Sequence, residues 1–405
     1  MAQAGNGPLH GLRVIDFGGS IAAAYTAVLF SAAGADVVRV EPPVTGDPIR
    51  HLPPFAPGAT APEASALQTF LDAGKRSIAL DTGTGSGLSV ARRLCAGADI
   101  VIEGRAPGFL EALELGAPPA QVVVSLSWFG RTGPGRELSG SDAAIQARTG
   151  FVYPIGPAEG PPIVPGGYHA QVTAGITAFV PAMAMLLARA GGGPGCVIDQ
   201  SVFEANMAFT EQASVRQAAQ GYELRRIGTN RYLPVYPQTI YPAADGHIGV
   251  TTLTPPQWKS FCGLLGLDAL GADPAFRSAY DRCAMADRVD ALLLPELKKH
   301  KVMDLFLEGQ ARRIPLAPVP RMEELAGLDH FRARSVFARY VHDGGFAFDA
   351  PAVPWKLAAT PVRAGGTAPR LGAQGAGILH DAGLSRAEIA ALAASGALSL
   401  PEVAA

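Results

Sequence analysis

LRVIDFGGSIAAAYTAVLFSAAGADVVRV, residues 12–40, holds two short apolar runs separated by a stretch of small residues. Leu12–Phe17 and Ala35–Val40 are short and rich in β-branched side chains, so each reads as a strand. Ile21–Ala33 between them reads as a helix of small residues. Strands that are apolar almost throughout are covered on both faces, and a strand, helix, strand unit of this kind closes by a right-handed parallel crossover. The fold class is therefore α/β, a doubly wound parallel sheet.

Outward from this unit the pattern repeats. Arg76–Asp81, RSIALD, reads as a strand followed by a helix to Cys95, Asp99–Glu103 as the next strand, and Gln121–Ser127, QVVVSLS, as another. Cys196–Asn206, CVIDQSVFEAN, reads as a short strand running into a helix. Gly83, Gly85 and Gly87 follow a strand and open a helix, as a dinucleotide site requires, but the third glycine of that fingerprint falls on Leu88. GTGSG is a helix-entry turn.

At 405 residues the chain is too long for one compact core, which suggests two domains, or one large domain carrying a smaller one. Around Arg225 the texture changes to an aromatic and proline-rich connection, Tyr232 to Pro242, expected to cross between them. Lys and Arg number 33 against 35 Asp and Glu, with no basic block to neutralise a run of phosphates, so nucleic acid is not an expected partner. Cys95, Cys196, Cys262 and Cys283 are far apart and match neither a zinc pattern nor a disulfide framework, which fits a cytoplasmic protein without a metal. The N-terminal segment lacks the basic start and apolar run of a signal peptide, and no membrane partner is expected.

Gly166–Arg189, GGYHAQVTAGITAFVPAMAMLLAR, reads as a turn and a helix that carries no charge before Arg189. Apolar around its whole circumference, it is expected to be buried, and Pro181 argues for a core helix over a membrane span. The unpaired amides of its first turn favour an anion or a developing negative charge. Gln171 is placed to use or fill that field.

Together the segments resemble the class III CoA-transferase family, of the formyl-CoA and carnitine CoA-transferase type. The resemblance rests on LRVIDFG at the start, GADVVRVE at Gly34–Glu41, TGDPIR at Thr45–Arg50 and GKRSIALD at Gly74–Asp81. It continues through ADIVIEGRAPG ending at Gly108, SLSWFGRTGPG at Ser125–Gly135, SDAAIQARTG at Ser141–Gly150, ADGHIGV at Ala244–Val250 and IPLAPV at Ile314–Val319. It implies a large domain of nucleotide-binding type over residues 1–220, a smaller α+β domain over 225–325, a C-terminal return to the large domain over 330–405, and an interlocked dimer. It also implies coenzyme A or an acyl-CoA as substrate, with no tightly bound cofactor. Lys75, Arg76 and Arg105 match positions near the CoA phosphates.

In the family a carboxylate at the start of the long helix attacks the CoA thioester and carries the acyl group as a mixed anhydride. Counting from Ala174 and Gly175, and from Arg189, that aspartate falls on Gln171, and a carboxamide cannot serve as such a nucleophile and leaving group. Asp142 matches a separate aspartate of the family, and Ser141 stands where the racemase branch has a histidine. GGSIAAAY at Gly18–Tyr25 lacks the usual arginine and proline, and Ala112 replaces an arginine often found beyond the Pro-Gly of the CoA site.

The resemblance is greatest to a non-catalytic subunit such as that of succinyl-CoA:(R)-benzylsuccinate CoA-transferase, which implies a partner: a homologous subunit carrying the catalytic aspartate. In an interlocked pair the small domain, with Gly228–Arg231, would still shape the partner's site. Two other readings stay open. One is a self-contained acyl-CoA lyase or isomerase, with Gln171 as oxyanion donor and His169 or Tyr168 as acid or base. The other is a CoA-binding homodimer in which Gln171 is only a hydrogen-bonding residue of the helix start.

Overall fold

The computed structural model describes residues 7–116 and 119–401, which form two compact units. The larger comprises Met1–Phe151, Pro165–Gln212 and His330–Ala405, and the smaller Val152–Val164 with Ala213–Asp329. The boundary anticipated near residue 220 thus lies at 212–213, and the loop 152–164 joins the smaller unit.

The large unit is built on strands β1 (Arg13–Asp16), β2 (Asp36–Glu41), β3 (Arg76–Leu80), β4 (Ile100–Glu103), β5 (Val122–Ser127) and β6 (Cys196–Ser201). They run parallel in the order β3-β2-β1-β4-β5-β6, and the two-residue strand Leu398–Ser399 adds antiparallel to the β3 edge. Val14 pairs with Val37 on one side and Ile100 on the other. Strand order reverses between β1 and β4, and a crevice opens there at the carboxyl ends of the strands.

Alternation along the strands divides the core. Ile15, Phe17, Val38, Val40, Ile78 and Val101 face a layer containing helix α2 (Gly85–Ala96) and the C-terminal residues Ile378, Leu379, Ile389 and Leu392. Val14, Val37, Ile100, Ile102 and Val124 face α1 (Ile21–Ala32) and the long helix of the opposite layer. Thr84 caps α2 by accepting from the Gly87 amide (3.1 Å), so the glycine-rich turn enters a helix as its sequence suggested.

The short helix α3 (Asp142–Arg148) precedes α4 (His169–Ala190), which continues through Pro181. The expectation that α4 is buried all round is corrected. Ala170, Ala174, Ala178 and Ala182, spaced four apart, are fully buried, while Ile176, Val180 and Leu187 are exposed. By length and composition α4 could cross a membrane, and 33% of its most apolar window is buried inside the fold. The physical reason is that α1 and the sheet cover a single stripe of small residues, and an apolar circumference cannot supply neighbours for the rest.

Gly175 lets α1 and α4 touch, because a Cβ there would lie 2.8 Å from the Ala22 carbonyl oxygen and 3.0 Å from Tyr25 Cβ. Thr26 ties the crossing by donating to the carbonyls of Ala22 (2.9 Å) and Gly175 (3.1 Å). Gly175→Ala is therefore expected to lower unfolding free energy by about 1–3 kcal/mol through overpacking, outweighing the gain in helix propensity of about 1 kcal/mol. Urea unfolding measures this, and an unchanged midpoint would show that the helices can separate.

Beneath the crevice lies a buried ionic network. Arg39 pairs with Asp16 (2.8 Å) and Asp47 (2.8 Å), and Lys75 donates to Asp16 (2.9 Å), Asp72 (3.0 Å) and the Ala24 carbonyl (3.3 Å). Burial alone would lower the pKa of Arg39, but Asp16, Asp47 and Asp72 hold it well above the ordinary value.

The smaller unit packs helices on a three-stranded antiparallel sheet, Gln238–Pro242, His247–Thr251 and Leu316–Pro318. Trp258, Phe261, Leu293 and Leu297 form its core, and buried Arg282 donates to four backbone carbonyls, those of Tyr236, Thr252, Phe276 and Arg277.

Candidate functional site

A cleft of about 970 Å³ opens at the switch point of the large unit. The turn after β1 and the turn after β4 form its floor, backbone against backbone: the Gly104 amide donates to the Gly18 carbonyl (2.7 Å), and a Cβ on Gly19 would lie 2.5 Å from the Gly104 oxygen. Only glycine fits so close an approach, and Gly19 also has φ +90°. The end of β5, Tyr168 and Gln171 add to the lining. The volume suits a large ligand.

Gln171 is 6% exposed and its carboxamide is held on both sides. Its Oε1 accepts from the Ile21 amide at the start of α1 (3.1 Å), and its Nε2 donates to Asp142 Oδ2 (2.8 Å). A flipped amide would set oxygen against carboxylate and NH₂ against N–H, so the network leaves one orientation. Asp142 Oδ1 accepts from the amides of Ala170 (2.9 Å) and Gln171 (3.2 Å). The charge that answers the field of α4 is thus the Asp142 carboxylate, presented by α3, whose own start is capped by Ser141. Gln171 does not fill that field itself; it links the starts of the two helices.

The other anticipated residues are not all brought together here. Tyr168 lines the cleft, while His169 is exposed and is not part of the lining. Arg105 lines it with its guanidinium donating to the carbonyls of Phe17 (2.9 Å) and Val40 (3.4 Å) and resting 5.1 Å from the Phe109 ring centroid. Burial lowers its pKa, and nearby Asp47 only partly offsets this. Lys75 spends its ammonium inside the ionic network, its side chain fully buried, and Arg76 pairs with Asp36 (2.6 Å) and Asp381 (3.0 Å). Neither cation lines the cleft.

Sequence reasoning passed over Glu103, Ser125 and Arg131, which cluster in the cleft. Ser125 Oγ donates to Glu103 Oε1 in a short bond, the Arg105 amide donates to Glu103 Oε2 (2.9 Å), and burial pushes the Glu103 carboxyl up despite these bonds. The signal for the first two was positional: Glu103 closes β4 and stands beside Ser125 near the carboxyl end of the adjoining β5. Among the described residues no group of three or more His, Cys, Asp or Glu is placed to hold a metal ion.

The profile of CoA-transferase family III matches residues 9–375. The chain is 28% identical over 382 residues to succinate–glutarate CoA-transferase of Agrobacterium fabrum, covering 92% of this chain and 95% of that one. It is 28% identical to the BbsE subunit of succinyl-CoA:(R)-benzylsuccinate CoA-transferase of Thauera aromatica, covering 95% of this chain and 97% of that subunit. Among solved structures, a CaiB/BaiF family protein from Brucella suis superposes with TM-score 0.81 at 27% identity, covering 93% of this chain and all of the other.

Proposed function

The chain belongs to CoA-transferase family III, and from that premise we propose that it is the non-catalytic subunit of a heteromeric enzyme moving CoA between carboxylic acids. The observation that carries this reading is the clamped carboxamide of Gln171. A carboxamide is a far weaker nucleophile and leaving group than a carboxylate, and this one is spent on structure, its oxygen accepting from Ile21 and its nitrogen donating to Asp142. The nucleophilic carboxylate is then supplied by a homologous partner subunit, as the subunit status of the Thauera relative suggests.

The cleft of this chain receives the CoA thioester as substrate, with Arg105 in its wall already held by the Phe17 and Val40 carbonyls and no phosphate contact assigned to Lys75 or Arg76. The exposed face of α4, with Ile176, Val180 and Leu187, is apolar surface for the partner to cover. The two curated relatives are named for succinate, glutarate, succinyl-CoA and benzylsuccinate, and the acids proposed here are of that dicarboxylic class. A self-contained acid–base reaction through His169 draws no support from its place outside the cleft lining.

Co-expression of this chain with a homologue that retains the aspartate tests the reading, with native mass and succinyl-CoA transfer as readouts. A one-to-one complex, active only with both chains present, is expected. Transfer by this chain alone would overturn it.

A further inference from the structure

Resting on the CoA-transferase reading above, we propose that Arg131 recognises the distal carboxylate of a dicarboxylic acyl group, exchanging its bond to Glu111 for one to the substrate. Three arginines line the cleft, and they differ in what they have left to offer. Arg105 is occupied by two carbonyls and the Phe109 ring. Arg136 has a 60% exposed side chain paired with Glu137 (3.0 Å). The Arg131 side chain is 25% exposed and is held as a fork with a fixed side and a replaceable one.

The fixed side begins at the backbone. The Arg131 amide donates to both oxygens of Asp199 (3.1 and 3.0 Å), Nη1 donates to Ser125 Oγ (3.1 Å), and Glu103 Oε1 lies 3.7 Å from Nη1. Nη2 donates to Glu111, which is 62% exposed on the four-residue helix Phe109–Ala112. A bond to so exposed a carboxylate contributes little net stability, so it exchanges readily. A substrate carboxylate replaces it charge for charge at Arg131, and the displaced Glu111, 62% exposed, is left to solvent. A planar, partly desolvated guanidinium matches a carboxylate in two-point contact, whereas the more exposed Arg136 suits a strongly hydrated phosphate.

Succinyl-CoA and butyryl-CoA have acyl chains of equal length and differ at the far end, carboxylate against methyl. Calorimetric titration of the full-length chain with both is expected to show preference for succinyl-CoA by about ten-fold or more, the worth of a charged hydrogen-bonded pair. Arg131→Gln should abolish that preference and leave butyryl-CoA affinity in place. Glu111→Gln, which removes the competing carboxylate from the cleft wall, should tighten succinyl-CoA relative to butyryl-CoA by a few-fold, an arm that does not depend on how Arg131→Gln folds. Equal wild-type affinities, or equal weakening of both thioesters in Arg131→Gln, would overturn the proposal, the latter by placing Arg131 on the CoA moiety. If neither thioester binds the wild-type chain, the CoA site proposed in the preceding section fails as well, and the two failures are thereby told apart.

Discussion

In the proposed heteromeric complex, replacing the partner's aspartate by alanine is expected to lower CoA transfer by at least about 10³-fold, whereas Gln171→Ala in this chain should change turnover by no more than a few-fold. The asymmetry follows from what each side chain can do. In that proposal the partner's carboxylate makes and breaks bonds to the acyl carbon, whereas Gln171 bridges the Ile21 amide and Asp142 and takes no covalent part. Its removal leaves a buried N–H and one carboxylate oxygen without their partners, at a cost of about 1–3 kcal/mol, read as a lower unfolding midpoint. If Gln171→Ala instead abolished turnover while leaving the midpoint in place, Gln171 would be acting on the substrate.

The isosteric Gln171→Glu adds a pH signature. Its carboxyl would sit where Nε2 now lies 2.8 Å from Asp142, and two carboxylates so close hold a shared proton, which raises the pKa of the pair. A raised carboxyl pKa in the folded state keeps stability at low pH and loses it as pH rises. The deficit against wild type should therefore open above about pH 4.3, the ordinary glutamate value, and grow toward the raised pKa. A deficit that is constant with pH would show that the two carboxylates have moved apart.

Lys75→Met is expected to destabilise the chain by about 3–5 kcal/mol, the cost of breaking a buried ionic cluster from one side. Asp16 and Asp72 lose the ammonium that now lies 2.9 and 3.0 Å away, in a place water does not reach. Burial by itself pushes the Asp72 carboxyl up, but Lys75, Arg39 and Arg50 overcome it and hold the group well below its ordinary range. A depressed carboxyl contributes stability that is present above the unfolded value, about 3.9, and is lost as pH falls through the folded one. The gap between wild type and Lys75→Met should thus be full at neutral pH and shrink in acid, by denaturant titration across pH. CoA affinity should be unaffected. A variant with wild-type stability and lost affinity would return Lys75 to a phosphate-binding role.

Lys75 shows why charge patterning alone misjudges a site. In sequence it is one basic residue beside another in GKRSIALD, and nothing local distinguishes an ammonium facing a phosphate from one facing Asp16 fifty-nine positions earlier. Arg131 is the converse. It stands in a quoted motif with Ser125, but its value depends on Asp199 and Glu111 arriving around it from two other segments. Asp142 likewise was matched as a family aspartate, and its capping of α4 across 28 and 29 residues could not be read from spacing.

By itself the sequence determined what periodicity and motif order can carry: the alternation of strands and helices, the parallel sheet, the helix-entry turn at GTGSG, the family, and the carboxamide at position 171. These are local properties, or sums of them, because strand apolarity and helix entry depend on neighbours within a few residues. Only the tertiary structure decided which charges are buried, which arginines line the cleft and which face of α4 is left uncovered. Those outcomes depend on long-range pairing, since a side chain's solvent and ion partners are set by whichever distant segment packs against it.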